Sequence, residues 1–297
     1  MDETTLTIEA TMKIKIASAQ YPITSFQTFS EWEEHTLRWI NEACNNQAEV
    51  LLFPEYGSME LTSLLSSDEQ ASLEKQLAGL QRFIHPFKET FKQAAINKNV
   101  LIIAPSFPLK HESLHINRAF VFFPNGTIEY QDKQMMTRFE NEEWHISSGE
   151  NKLKVFTYKE IKFGINICYD GEFPKFAQEQ TINGMQILFH PSCTEGKSGM
   201  ERVHVGARAR ALENQIYVVV SQTVGDALWS IAVDKNTGCA AFYSTCDHLF
   251  PTDGTLLKGE INKIGWYYQT LDFQLITNIR NTGQVFNYQD MLKLNSK

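Results

Sequence analysis

Hydrophobic and polar residues follow one another along this chain in short runs, most of which have the length of a β-strand. Residues 13–20 alternate with a period of two, which predicts a half-buried strand. The runs 50–53 and 100–104 are apolar throughout, 216–221 is apolar up to Ser221, and all three predict strands buried on both faces. The same pattern predicts further strands at 119–123, 127–132, 155–158, 161–167, 186–189, 229–233, 239–243 and 266–273.

Helical periodicity separates several of these strands. Ser30 and Glu33 have the spacing of a capping box and predict the start of a helix. The apolar face of that helix contains Phe29, Trp32, Thr36, Trp39, Ile40 and Ala43. Helices are also predicted at 67–97, with an interruption near Pro86, and at 175–183 and 201–214.

Turn residues join some of the strands directly. Pro124-Asn125-Gly126 predicts a hairpin, and Lys235-Asn236-Thr237-Gly238 predicts another between 229–233 and 239–243. Strands and helices otherwise alternate. This order predicts a layered α/β fold in which mixed sheets are covered by helices on their outer faces.

Size and composition narrow the class of protein. The 297 residues contain no linker or repeat, so we expect one domain over residues 13–297, preceded by a tail or edge strand at 1–12. The net charge of −8 argues against a nucleic-acid partner. No apolar run reaches the roughly 20 residues that cross a bilayer. Five unpaired cysteines without a signal peptide favour a reducing, cytoplasmic location.

Three polar residues follow predicted strands directly: Glu55, Lys133 and Cys168. If these strands are neighbours, a base, an ammonium group and a thiol meet at one sheet edge. The carboxylate would accept the thiol proton, and the ammonium would favour the thiolate and stabilise an oxyanion. The alternative is that Cys168 is a buried structural thiol, the more common state of free cysteine.

The order of these motifs resembles that of the carbon–nitrogen hydrolase family, also called the nitrilase superfamily. The similarity rests on the segments Leu52-Phe-Pro-Glu55, Tyr130-Gln-Asp-Lys133, Ile165-Asn-Ile-Cys-Tyr-Asp-Gly-Glu-Phe-Pro174 and Ala207-Arg-Ala-Arg-Ala-Leu-Glu-Asn214. It extends from about Lys13 to about Phe273. Lys175 departs from the pattern, because the family often has an acid there.

The resemblance implies a role for each matched residue. Cys168 would attack the substrate carbon, with Glu55 as the base and then the acid. Lys133 and the backbone N–H of Tyr169 would stabilise the tetrahedral intermediate. The family fold is a four-layer αββα sandwich with two mixed β-sheets, usually assembled as a homodimer or a larger homo-oligomer. Such enzymes need no metal or organic cofactor.

Many family members have a second glutamate after the lysine. Glu140, Glu142 and Glu143 compete for this position. In several members the glutamate lies seven residues before a glycine that ends the loop, and counting back from Gly149 favours Glu142. The alternative for any of these acids is an exposed charge that faces water.

The segment after the next strand lines the substrate pocket in the family. His190 and Cys193 are therefore candidate substrate contacts. Trp144 is a separate candidate, as an aromatic wall of the pocket, and each of the three is also compatible with structural packing. A metal pair of His190 and Cys193 is disfavoured, because no further ligands follow at a short spacing.

The leading functional hypothesis is an amidase-type hydrolase that cleaves a non-peptide C–N bond of a small linear amide or carbamoyl compound through a cysteine thioester. Nitrile hydrolysis by the same family is the alternative within this class. Two other classes remain: a binding protein that has lost catalysis, and a redox sensor in which Cys193 resolves an oxidised Cys168.

Overall fold

The computed structural model describes residues 12–149 and 152–295. The tail or edge strand predicted at 1–12 lies outside the described residues, except for Met12. The strands are β1 Lys13–Pro22, β2 Val50–Leu52, β3 Leu101–Ile103, β4 Phe107–His111, β5 Leu114–Phe122, β6 Ile128–Asp132, β7 Ile146–Ser147, β8 Phe156–Tyr158, β9 Ile161–Ile165, β10 Ile187–Ser192, β11 Tyr217–Asp226, β12 Lys235–Asn236, β13 Ala241–Tyr243, β14 Thr255–Lys258 and β15 Gly265–Asp272.

Helices lie between and after these strands. They are α1 Phe29–Asn45, α2 Ser67–Gln70, α3 Leu73–Leu80, α4 Ile84–Lys98, α5 Arg138–Glu142, α6 Pro174–Ile182, α7 Lys197–Asn214, α8 Phe273–Thr282 and α9 Asn287–Asn295. Short 3-10 helices span Gly57–Leu64, Gln81–Phe83 and Cys168–Glu172.

The strands form one hydrogen-bonded, mixed sheet. Its main path runs β4-β5-β3-β2-β1-β11-β10-β9-β8, and the other strands branch from it by pairing with β1, β5, β11 or β13. The central pairs from β3 to β1 and from β11 to β9 are parallel, whereas β15 pairs with β1 in the antiparallel sense. The α/β class and the mixed pairing predicted from the sequence are therefore confirmed.

Alternate residues of the central strands belong to two apolar clusters. Val50 and Leu52 lie in the same cluster as residues of β9 and β10, whereas Leu51 packs in the cluster under α1 and α4. A narrow gap is lined by Val50 from one half of the sheet and by Phe163 and Ile187 from the other half. The sheet thus curls so that β1–β3 face β9 and β10 across a shared core.

Several local expectations are corrected by the structure. Helix α1 begins two residues earlier than predicted, because its N-cap is Thr28 and not Ser30; the Thr28 side chain accepts from the Glu31 N–H. Pro86 does not break α4, since it lies in the first turn, where its missing N–H is not needed. The interruption instead falls at the 3-10 turn Gln81–Phe83.

The hairpin predicted between 229–233 and 239–243 is wrong. Residues 229–233 form a loop, and β12 and β13 both pair with β11 instead. Two helices, α8 and α9, follow β15 and end at Thr282 and Asn295. Within the described ranges, no helix combines the length and apolar character required to cross a membrane.

Candidate active site

Glu55, Lys133 and Cys168 lie together, although they are far apart in sequence. Each follows the end of a strand: β2, β6 and β9, respectively. All three are nearly inaccessible, with 1%, 1% and 7% of their surface exposed. The Lys133 Nζ donates to Glu55 Oε1 over 2.7 Å, and the Glu55 carboxylate is close enough to Cys168 to raise the pKa of its thiol. The convergence expected from the sequence is present in the structure.

Cys168 occupies a strained turn. It opens the 3-10 helix Cys168–Glu172 with a φ of 48°, in the left-handed region that side chains other than glycine rarely adopt. The Asp170 carboxylate accepts from the N–H of Ile167 over 3.2 Å and from the N–H of Met135 over 2.8 Å. It also accepts from the Gln134 N–H over 3.1 Å. Asp170 therefore links the cysteine turn to the loop after Lys133.

Lys133 is held by two carboxylates. Besides Glu55, its Nζ donates to Glu140 Oε1 over 2.7 Å and to Glu140 Oε2 over 2.6 Å. The Tyr56 hydroxyl donates to Glu140 Oε1 over 2.7 Å. All three ammonium protons thus have acceptors, which fixes the position of the lysine head group.

The choice of Glu142 as the second glutamate is wrong, because Glu140 is the residue that contacts Lys133. Glu142 is exposed on α5, where it pairs with Arg138, whereas Glu140 is buried and contacts Lys133. The reason is local: Thr137 and Glu140 form a capping box, in which the glutamate side chain turns back to the Thr137 N–H. The spacing Thr137-x-x-Glu140 is visible in the sequence and would have identified the residue.

The main chain of Cys193 contacts both the base and the nucleophile. Its N–H donates to Glu55 Oε2 over 3.0 Å, and its carbonyl oxygen lies 3.7 Å from the Cys168 sulfur as the thiol's acceptor. Asn117 Nδ2 donates to Glu55 Oε1 over 2.9 Å. Neither contact was predicted, and Asn117 carries no signal in the sequence, because a lone asparagine in a strand has no recognisable spacing.

Charges in this cluster favour a neutral thiol beside a base that titrates near neutrality. Burial raises the pKa of Glu55 to about 7, against the opposing pull of Lys133. Burial and the Glu55 carboxylate raise the pKa of the Cys168 thiol well above its ordinary value. Lys133 acts in the expected direction, since it lowers the pKa of the Cys168 thiol, but burial and the Glu55 carboxylate outweigh it.

The remaining predicted residues are placed as follows. Tyr169 follows Cys168 directly, so its N–H belongs to the same peptide unit as the Cys168 carbonyl. Cys193 is partly exposed, and its sulfur points at Asn236 Oδ1, 3.4 Å away. Trp144 is buried and packs on Tyr56, with ring centroids 4.9 Å apart. A substrate contact for Cys193 or Trp144 stays a prediction.

His190 is not a wall of the pocket. It lies on β10, is fully buried, and its Nε2 is 2.8 Å from the Cys168 carbonyl oxygen. The prediction of a direct substrate contact is therefore wrong, because the side chain packs beneath the cysteine turn. In the part of the chain that the structure describes, no three His, Cys, Asp or Glu side chains cluster as metal ligands would.

Cavity size does not locate this site. A surface groove of about 780 Å³ is lined by Phe123, Lys154 and Thr157 among others, and it contains none of the residues above. The buried carboxylate–lysine–thiol cluster is the stronger indication, since titratable groups with shifted pKa values concentrate at functional sites.

Comparisons with known proteins point in the same direction. The family model described as "Carbon-nitrogen hydrolase" matches residues 15–259. The "Probable hydrolase YhcX" of Bacillus subtilis is 30% identical over 93% of this chain, and the chain spans only 53% of that relative's length. The "Omega-amidase NIT2" of Xenopus tropicalis is 25% identical over 72% of this chain and 76% of its own.

Among solved structures, Nit3 of Saccharomyces cerevisiae, described as a member of branch 10 of the nitrilase superfamily, has a similar fold. The TM-score is 0.71 with 21% identity, and the alignment covers 92% of this chain and 96% of the yeast chain.

Proposed function

Because the chain belongs to the carbon–nitrogen hydrolase family, we propose that it is an amidase-type enzyme acting on a small linear amide or carbamoyl compound. The observation that carries the proposal is the buried network in which Lys133 joins Glu55 to Glu140 beside the Cys168 thiol. A structural thiol does not require two buried carboxylates and an ammonium group around it, since their burial costs several kcal/mol.

The arrangement supports a thioester mechanism in two halves. As the Cys168 sulfur bonds to the carbonyl carbon, its proton moves to Glu55, whose pKa of about 7 suits a general base. Lys133 releases one of its two bonds to Glu140 and, with the Tyr169 N–H, holds the oxyanion. The C–N bond then breaks, and Glu55 returns the proton to the departing amine or ammonia.

The second half regenerates the enzyme. Glu55 takes a proton from water as the water oxygen attacks the thioester carbon. The C–S bond breaks, the sulfur regains its proton, and a carboxylic acid leaves. Every proton in this cycle is supplied by the thiol, the glutamate or water, so the proposed cycle uses no cofactor. Unchanged turnover after dialysis against a chelator would support that part of the proposal.

The substrate class follows from the relatives rather than from the pocket. One relative is an omega-amidase, so a terminal carboxamide on a short aliphatic chain is the substrate we propose first. Nitriles are the alternative, because the same thiol attacks both carbons. Among the described residues near Cys168, no side chain favours a nitrile over an amide.

A panel of short compounds tests the function. Ammonia release is measured for linear amides with and without a terminal carboxylate, for a carbamoyl compound and for matched nitriles. The wild type should hydrolyse at least one amide, Cys168→Ala should lose that activity, and the exposed-cysteine control Cys246→Ala should retain it. Full turnover by Cys168→Ala refutes the proposal, and turnover of nitriles alone supports the alternative.

Three broader expectations remain proposals. The curled sheet and its shared core support the four-layer αββα sandwich predicted from the resemblance. A homodimer or larger assembly is expected from the same resemblance, and a cytoplasmic location is expected from the odd number of cysteines. Sedimentation velocity at two protein concentrations would decide the first of these two, with a concentration-independent monomer contradicting it.

A further inference from the structure

His190 occupies an unusual position for a histidine near an active site. It is 0% exposed on β10, yet its ring reaches the backbone of the cysteine turn rather than any substrate-accessible surface. Since a carbonyl oxygen can only accept, the contact of 2.8 Å with Cys168 O requires the proton to sit on Nε2. The other ring nitrogen, Nδ1, is buried without a hydrogen-bond partner among the described residues.

The ring is confined on its other side by a glycine. A Cβ added at Gly171 would lie 2.3 Å from both Cε1 and Nε2 of His190, so no side chain fits there while the ring is in place. The carbonyl of Gly171 accepts from the Arg210 guanidinium over 3.2 Å. The turn is thus held at both ends, at Cys168 by His190 and at Gly171 by Arg210.

The contact between His190 and the Cys168 carbonyl also determines the direction of the Tyr169 N–H. In a planar trans peptide, the C=O and N–H bonds point in opposite directions. The carbonyl of Cys168 and the N–H of Tyr169 belong to the same peptide. A hydrogen bond that fixes the carbonyl toward His190 therefore fixes the Tyr169 N–H away from His190.

We propose that His190 is a positioning residue for the oxyanion site: by holding the Cys168 carbonyl, it orients the Tyr169 N–H toward the developing oxyanion. This inference rests on the proposed function, in which the Tyr169 N–H is an oxyanion donor. Without the imidazole, the Cys168 carbonyl loses its side-chain donor, and the strained turn at Cys168 is held less firmly.

The test compares His190→Phe, which fills the space without a donor, with His190→Gln, whose amide nitrogen can replace Nε2. The loss of one oxyanion donor lowers turnover about 10²–10³-fold. We expect such a loss of kcat on an amide in His190→Phe with KM changed less than about threefold, and recovery of most of kcat in His190→Gln.

A second readout needs no substrate. A short aliphatic aldehyde adds reversibly to a thiol, and its oxygen takes the place of the oxyanion. In His190→Phe, the butyraldehyde concentration that protects Cys168 from iodoacetamide should rise at least about tenfold above that of the wild type. Alkylation of Cys168 without aldehyde should stay near the wild-type rate. Alkylation of the exposed Cys246 is the internal control.

The outcomes separate the two proposals. If the wild type hydrolyses no amide but aldehyde protection weakens in His190→Phe and recovers in His190→Gln, the proposed function fails and the role of His190 stands. If protection is unchanged, or if unprotected alkylation falls in parallel with it, His190 is only part of the packing. Should His190→Phe fail to fold, Gly171→Ala displaces the ring by contact and must weaken protection in the same way.

Discussion

Glu140 provides the sharpest contrast with a neighbouring residue of the same type. Its carboxylate is buried and makes two contacts of 2.7 and 2.6 Å with Lys133, which is itself 1% exposed. Glu142 lies two residues away on α5, and its side chain is 55% exposed beside an Arg138 that is 87% exposed. The pair Glu140→Gln and Glu142→Gln therefore removes the same charge from a buried and from an exposed ion pair.

The magnitudes follow from this difference. Removing one partner of a buried ion pair costs about 3–5 kcal/mol, and because glutamine still accepts one hydrogen bond we expect about 2–4 kcal/mol for Glu140→Gln. An exposed pair contributes about 0–1 kcal/mol, so Glu142→Gln should be almost neutral. Misplacement of the Lys133 head group should lower kcat/KM of Glu140→Gln about 10²-fold.

The pH dependence of activity provides an independent test, because the direction of its shift can be predicted. Glu140 is one of the charges that raise the pKa of Glu55, so its neutralisation lowers that pKa. Activity that depends on ionised Glu55 is lost as the pH falls, and in Glu140→Gln this loss should move to lower pH. Urea unfolding and pH-dependent turnover of the best amide measure both effects. Equal losses in the two variants, or a change below twofold in Glu140→Gln, would refute the assignment of Glu140.

Three further predictions concern buried polar groups. Asp170→Asn keeps one acceptor oxygen and loses the other, so kcat should fall about tenfold with little change in KM, measured on the same amide. Tyr56→Phe removes the hydroxyl that donates to Glu140 and should cost about 1–2 kcal/mol in urea unfolding. Glu60 accepts from a tyrosine hydroxyl and an indole N–H, and burial raises its pKa to about 8, so its protonated form favours the folded state. The contribution of Glu60 to stability should therefore fall by about 3 kcal/mol between pH 5 and 7.5, and Glu60→Gln should make the decline of stability shallower by that amount; an unchanged slope would show that Glu60 is ionised when buried.

The strands were predictable because their signal is local. Apolar runs such as 50–53 and 100–104 are buried on both faces of the sheet, as β-branched and leucine-rich segments require. The run 229–233 misled for the same reason: it is apolar, but it forms a loop, with Ile231 half exposed and Val233 buried. The hydrophobic pattern of one segment does not specify which other strand, if any, pairs with it.

The identities of the three central site residues were predictable from the sequence, but the contacts between them were not. Each follows a strand end, and the ordered motifs identified Glu55, Lys133 and Cys168. Their contacts depend on the pairing of β2, β6 and β9 with other strands, which no spacing in the sequence specifies.

The second glutamate shows how a local rule can outperform a counted distance. Counting back from Gly149 selected Glu142, whereas the capping box at Thr137 determines which acid turns inward. His190 failed differently, because its position before a substrate-facing segment gave no indication that its ring points into the core. The backbone contacts of Cys193 are invisible in the sequence, since any residue there provides the same N–H and C=O.

The central claim is that Glu55 activates a protonated Cys168. The most direct measurement is the rate of iodoacetamide alkylation of each cysteine across pH 5–9, mapped by mass spectrometry, in the wild type and in Glu55→Gln. Cys168 should react faster than the exposed Cys246, with a rise near pH 7 that follows Glu55 and moves to the alkaline range of an unassisted buried thiol in Glu55→Gln. A Cys168 that reacts more slowly than Cys246 at every pH, with a profile indifferent to Glu55→Gln, would contradict the claim.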